Sequence, residues 1–373
     1  MKGHIRERSP GRWAIVVDVP DRATGKRKRR WHSFKGTKRE AQVERARLVA
    51  EIASGGYVEP SKQTFDRYFA DWLRDWAPMK AGPKTLERYG QLGKHLIAAI
   101  GTTPIQRVRG GDLSRAYREA GTKLADRTVK DVHKLARRLF GHAMRQGDIK
   151  RDPSKEIDAP RVAPKEASVL RAEEIPVMLN GLNGIMHTIA VVALGTGMRR
   201  GELCALRWQD VDLAGATLAV KQSLEQTRSS GLRFKEPKTK RGLRTITLAP
   251  SVVTCLQEHR IAQLELRLKL GLGKPDDALV FATFDGKTRY PDALTHAFAE
   301  AMTRIGLPHV GLHTLRHTHA SMLIKAGEDI LTISRRLGHS SAAITLGVYG
   351  HLISSKDGAA AAVEAALTGG GGG

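Results

Sequence analysis

Three prolines and a crowd of charges fall within residues 152–169, DPSKEIDAPRVAPKEASV, and neither a helix nor a central strand runs through such a stretch. Its composition is that of a semi-extended linker, with the hinge itself at residues 159–169. The chain has 373 residues, more than one ordinary core organises, so a division into domains is expected. An apolar content of 41% suffices for folded domains and argues against disorder.

Upstream of the linker two patterns follow one another. Residues 1–60 open with GHIRER, WAIVVDV and KRRWHSF, which alternate or run β-branched and read as three antiparallel strands. Thr37 and Glu40 then form a capping-box signature for a helix that Gly55-Gly56 stops. Residues 61–158 read as four helices. Phe65, Tyr68, Phe69, Trp72 and Leu73 recur at helical spacing, Pro83 starts the second helix, Asp112 caps the third, and the fourth runs from about Ala125 to Gln146. Downstream, residues 170–353 mix helices with strands at VDLAGATLAVKQS, GLRTITL and ALVFAT. RSSGLRFKEPKTKRG reads as a charged loop, and everything from His313 reads as helix. The C-terminal residues 354–373 are alanine-rich with a glycine tail. The expected fold class is therefore multidomain and mainly α with small β-sheets: a three-stranded sheet plus helix, a four-helix domain, and a larger α+β domain.

The formal net charge of +24 points to a polyanion, nucleic acid before an anionic membrane surface. The charge is not a tail. Residues 1–60, 61–160 and 161–373 carry net +8, +9 and +7, as suits a chain that meets a long polyanion with every domain. Lys26, Arg27, Lys28, Arg29 and Arg30 crowd one hairpin, where basic strands can enter a DNA groove. Two cysteines, Cys204 and Cys255, exclude a disulfide framework and fit a reducing cytoplasm. The N-terminal MKGHIRERSPGR lacks the apolar core of a secretion signal, and no apolar run is long enough to span a bilayer.

Chemistry concentrates in four pieces. In GTGMRRGEL, Arg199 follows an apolar helix and Glu202 stands three residues on, able to hold its guanidinium. KEPKTKRGLR is a lysine-rich turn with Lys238, Lys240 and Arg241. In HTLRHT, His313 and Arg316 share a helix face. Then come His339 in LGH and the lone Tyr349. Two arginines can fork onto the non-bridging oxygens of a phosphodiester while histidines donate to them. A tyrosine can attack and form a covalent ester, and a lysine can protonate the leaving alkoxide. No carboxylate cluster for Mg²⁺ and no phosphate-cradling GxxxxGK[ST] loop accompanies them. The H-x3-H spacing at His313 and His317 also admits a zinc reading, although no cysteine cluster or HExxH supports it.

With those residues in hand, the chain resembles the tyrosine recombinase family, in particular the lambda-type integrases of phages and mobile elements. TGMRRGELCALRWQDVDL (196–213) is similar to the family's first arginine box, and PKTKRGLRTITL (237–248) to its lysine turn. HTLRHT (313–318), LGH (337–339) and VYGHL (348–352) are similar to the second arginine box and the tyrosine segment. Thr247 stands where a proline is common. The resemblance implies that Arg199 and Arg316 clamp the scissile phosphate and that His339 bonds a non-bridging oxygen. It implies that His313 assists proton transfer or binds the phosphate. Tyr349 would be the nucleophile, giving a 3′-phosphotyrosyl link, with Lys238 or Lys240 as general acid and Glu202 as support. No cofactor or metal is implied.

The resemblance also assigns the layout: residues 1–60 to arm-site DNA, 61–158 to core-site DNA, 170–353 to catalysis, and 354–373 to docking on a neighbouring protomer. Implied partners are double-stranded DNA at attachment core and arm sites and a homo-tetramer on that DNA. An excisionase and a host DNA-bending protein are compatible accessories, in the cytoplasm of a bacterial host at its nucleoid. A type IB topoisomerase-like enzyme and a non-catalytic DNA-binding regulator are the competing readings. The first lacks a use for the N-terminal domain, and the second a use for Tyr349.

Overall fold

A computed structural model describes residues 3–20, 26–163, 168–237, 240–271 and 278–350. The chain divides near residue 163 into two compact units. In the first, the β-branched run of β2 (Arg12–Pro20) lies between β1 (Gly3–Ser9) and β3 (Arg27–Lys35) in an antiparallel sheet. Period-two alternation sends Ile15 and Val17 to one face, where they meet Leu48 and Ile52 of α1 (Lys38–Ala53). The capping box forms as the sequence predicts. The Thr37 hydroxyl accepts from the Glu40 N–H at 3.3 Å, and the Glu40 carboxylate accepts from the Thr37 N–H at 2.8 Å.

A helical layer with its own core follows. It comprises α2 (Phe65–Asp71), α3 (Pro83–Ile100), α4 (Gly110–Gly121) and α5 (Asp126–Gln146). Between α2 and α3 the chain makes a π-helical turn at Trp72–Trp76 and a 3-10 turn at Ala77–Met79. Asp112 does not cap α4 from outside, as its sequence position suggests. It lies in the first turn, and its carboxylate accepts from the Arg109 N–H at 3.0 Å.

Residues 152–158, linker-like in composition, are packed. Pro153 and Ser154 are buried in a 3-10 turn, the Gly110 N–H donates to Glu156 at 3.1 Å, and Ile157 rests on the helical core. The reason is local: Asp152 satisfies the Ser154 N–H at 3.0 Å, so this short turn is capped and can be buried.

The second unit begins with α6 (Glu174–Gly181), the buried α7 (Gly184–Thr196) and the short α8 (Arg200–Ala205). Strands β4 (Val211–Asp212), β5 (Thr217–Val220) and β8 (Arg244–Thr247) form one antiparallel sheet. β6 (Ser223–Thr227) and β7 (Gly231–Lys235) form a separate hairpin. β7 therefore occupies part of the stretch that reads as a charged loop; its one alternating apolar pair, Leu232 and Phe234, is too short a period to stand out among the surrounding charges. ALVFAT is not a strand: Leu279 makes a single bridge to Arg207 while Val280, Phe281 and Ala282 enter the core. A short apolar run alone does not separate a strand from a buried turn. Then follow α9 (Pro250–Lys269), α10 (Pro291–Arg304), α11 (Leu312–Lys325), α12 (Ile330–Leu337) and α13 (Ala342–Tyr349).

Close approach inside the helical layer gives a direct test. A Cβ on Gly93 of α3 would lie 2.1 Å from the Phe69 ring of α2. Gly93→Ala should therefore lower the stability of this layer by roughly 1–3 kcal/mol, read from the urea midpoint. An unchanged midpoint would mean the two helices are not in this contact.

Candidate active site

The second unit gathers its arginines around two tight turns. α7 ends at Gly197 with φ 65°, α12 at Gly338 with φ 65°, a left-handed geometry that glycine adopts without strain. The Arg316 guanidinium, on α11 and only 2% exposed, donates to the Gly197 carbonyl and, at 2.7 Å, to the Leu337 carbonyl. Arg199 donates to the Gly338 carbonyl at 3.0 Å. Both glycine turns are crowded. A Cβ on Gly197 would meet His319 at 2.7 Å, and one on Gly338 would meet Arg244 at 2.8 Å.

Arg199 sits at the N-cap of α8, and Glu202 answers it one turn later. The carboxylate accepts from the Arg199 backbone N–H at 2.9 Å and from its guanidinium at 2.9 Å. The same carboxylate accepts two bonds from Arg244 of β8, at 2.7 and 3.2 Å. Burial works to raise the Glu202 pKa, but the hydrogen bond and charge of Arg244, joined by Arg199, hold it below the usual carboxylate range. Arg244 reaches on to the Arg336 carbonyl at 2.7 Å. Arg336 donates to His319 at 3.0 Å, and the other nitrogen of that ring bonds the Leu194 carbonyl at 2.7 Å. Sequence reasoning missed this layer. Arg244 is one more cation of a basic turn until the fold brings it to Glu202, 42 residues away.

The remaining predicted groups stand in the same field. His339 is buried and bonded through Nδ1 to the Thr345 hydroxyl at 2.8 Å. Burial, then the charges of Arg316 and Arg199, push it down to about 4, so it is neutral near pH 7. His313 reaches the surface on the first turn of α11, but neighbouring atoms shield part of its ring from water, and this desolvation, then the charges of Arg316 and Arg199, lower its pKa. Tyr349 closes α13, is 1% exposed, and packs on Ala320, Ile333 and Leu337. Burial raises its phenol to about 12 against the pull of Arg316. Its hydroxyl lies 2.6 Å from Nδ1 of His317, a residue that the sequence offers only as a packing group or half of an H-x3-H pair. Among the described residues, no group of three or more His, Cys, Asp or Glu is arranged to hold a metal.

Two predicted sets fare differently. Lys238 and the side chain of Lys240 lie outside the described residues, as does the tail 354–373, while Arg241 donates to the Ser340 carbonyl at 2.7 Å. In the N-terminal sheet the basic run splits by strand alternation. Arg30 shares the α1 side with Val17 and pairs with Glu59, whereas Arg29 lies across from Asp18 on the open side. That open side adds residues the hairpin count overlooked: His4 and Arg6 of β1, and Trp31, with the Arg8 guanidinium 5.7 Å over its ring. The signal was present in GHIRER, whose even positions are all polar.

A cation pair held by carbonyls, neutral histidines and a buried phenol define a site for an anionic ester. Residues 168–355 match the model of the phage integrase family, and the chain belongs to that family. It is a tyrosine recombinase, an enzyme that breaks and rejoins DNA in site-specific recombination. The XerC-like tyrosine recombinase of Caldanaerobacter subterraneus is 28% identical over 338 residues, 85% of this chain and 86% of that protein. The fold is similar to the Tn1549 transposon integrase solved with transposon right end DNA: TM-score 0.68, 22% identity, 81% of this chain and 98% of that one. It is also similar to a lambda integrase tetramer bound to a Holliday junction: TM-score 0.55, 17% identity, 92% and 97%. Among the described residues no helix is long and apolar enough to cross a membrane.

The histidines predict an acid sensitivity. His317, His319 and His339 each have folded pKa values near 4, chiefly through burial. An unfolded histidine titrates near 6.5. Below that pH the unfolded chain binds protons that the folded site refuses, so stability falls as pH drops from about 6.5 towards 4. Thermal unfolding that includes α11 should shift down between about pH 7 and pH 5. A transition temperature that stays flat over this window would contradict the buried, neutral assignment.

Proposed function

We propose that this recombinase is an integrase whose site works as follows. Arg199 and Arg316 fork onto the non-bridging oxygens of the scissile phosphate, and His339 donates to one of them from Nε2 while Thr345 occupies Nδ1. Tyr349 attacks phosphorus and takes the 3′ side as a phosphotyrosyl ester, releasing a 5′-hydroxyl. Lys238 or Lys240 protonates that leaving oxygen, and His313 binds the phosphate. The observation that carries the reading is Arg316. It is nearly fully buried, and its hydrogen bonds go to two carbonyls, which orient the cation without neutralising it. Such an arrangement is costly unless an anion completes it.

In this scheme the ester keeps the energy of the broken bond, so rejoining needs no nucleotide. The phenol is buried, so the short helix α13 must shift for its oxygen to reach phosphorus. Residues 1–60 bind arm sites through the open face of the sheet, 61–158 grip the core site, and 170–353 carry the chemistry. Residues 354–373 dock on a neighbouring protomer of a tetramer, the assembly seen for lambda integrase. The substrates are attachment sites of a mobile element in a bacterial cytoplasm, with an excisionase and a host bending protein as accessories.

Covalent trapping on a nicked suicide substrate tests the scheme. Tyr349→Phe should form no covalent complex while binding the same DNA with nearly unchanged affinity. Arg316→Ala should slow trapping by roughly 100-fold or more with a far smaller loss of affinity. A Tyr349→Phe protein that still traps DNA would remove the nucleophile from this account.

A further inference from the structure

One polar side chain touching the proposed nucleophile has no role in the scheme above. His317 follows Arg316 directly, and its spacing from His313 puts all three on one face of α11. Its Nδ1 lies 2.6 Å from the Tyr349 hydroxyl, with the rings edge-on at 5.6 Å between centroids. The phenol, 1% exposed, has little access to water as a proton acceptor. His313, which binds the phosphate in the proposed scheme, also meets His317: the two rings are T-shaped with centroids 4.5 Å apart. His313 is exposed and His317 half-buried, so the pair leads from the phenol towards solvent.

We propose that His317 is the general base of strand cleavage, taking the phenolic proton of Tyr349 as its oxygen attacks phosphorus. This rests on Tyr349 being the nucleophile. The tyrosine O–H bond breaks and an N–H bond forms at Nδ1 of His317. The tyrosine O–P bond forms as the bond from phosphorus to the 5′ oxygen breaks, and that oxygen takes its proton from the lysine of the turn. On rejoining, the 5′-hydroxyl returns its proton to the lysine as its oxygen attacks phosphorus, the tyrosine O–P bond breaks, and the departing tyrosine oxygen recovers its proton from His317. Base in one direction and acid in the other is what microscopic reversibility requires.

The surroundings explain how so buried an imidazole serves. His317 is faced by His313 and Arg316 from its own helix, by Tyr349 from α13, and by His339 from the turn after α12. No carboxylate is among these groups. Burial first, then His313 and Arg316, lower its pKa to about 4, so it is neutral and ready to accept. A phosphodiester bound to Arg316 and Arg199 adds negative charge beside it, which raises the basicity of the ring. The base thus strengthens when substrate arrives.

The test is single-turnover covalent trapping at saturating DNA with His317→Ala and His317→Gln, each checked for an unchanged melting temperature and DNA affinity. A glutamine oxygen can accept the phenol's hydrogen bond but cannot take its proton. Both variants should be slower by roughly 100-fold or more. His317→Ala should recover rate with added imidazole and as pH rises towards the ionisation of the phenol. A His317→Gln protein within about threefold of the parent rate would overturn the proposal, leaving His317 a positioning group for the tyrosine. So would an alanine variant that neither imidazole nor high pH restores. Failure of the nucleophile itself would look different: the unmodified protein would form no covalent complex, or Tyr349→Phe would still form one.

Discussion

The carboxylate of Glu202 holds the site together. It is buried between two guanidiniums, one from the helix start that carries Arg199 and one from β8. Its four hydrogen bonds satisfy both oxygens, the condition under which a buried charge is tolerable. Through Arg244 it also reaches the end of α12, where the Arg336 carbonyl accepts. Three segments distant in sequence are thereby fixed to one another: the turn after α7, the strand after the lysine turn, and the segment leading to His339. Removing the carboxylate would leave the side chain of Arg244, 6% exposed, as a buried cation without its partner. That class of change typically costs about 3–5 kcal/mol.

Around this fixed centre the electrostatics lean one way. Arg316 is oriented by carbonyls, Arg199 is shared between Glu202 and a carbonyl, and the nearby imidazoles are kept neutral by burial and by the arginines. The site therefore presents positive charge with neutral groups able to give or take protons. In the proposed scheme a phosphodiester supplies the missing anion, and the low local dielectric strengthens its grip. The phenol's raised pKa fits the proposed scheme: a nucleophile kept protonated until a phosphate enters is protected from idle reaction.

Much of this was legible in the sequence, and what was not has physical reasons. The alternation in WAIVVDV and the box Thr37-to-Glu40 announced the N-terminal sheet and its helix, because both signals are local. Arg199 and Glu202 were readable as a pair because they lie one helical turn apart. Arg244 was not, since its partner lies across the fold. Strand β7 was hidden because its alternating apolar pair, Leu232 and Phe234, is short and lies within a run of charges, and ALVFAT misled because an apolar run is buried equally well as a turn. The packed turn at 152–158 was concealed by Pro153, by its charges and by the prolines that follow it. His317 was in view as one of several histidines, but only the return of α13 against α11 shows which of them the tyrosine touches.

The central claim is that Tyr349 becomes the phosphoryl carrier. Its most direct measurement is mass spectrometry of the trapped complex after protease and nuclease digestion. The account predicts one nucleotide-modified peptide, the one containing Tyr349, with the adduct on that residue and a free 5′-hydroxyl on the released strand. An adduct on any other side chain, or a released strand ending in 5′-phosphate, would contradict it.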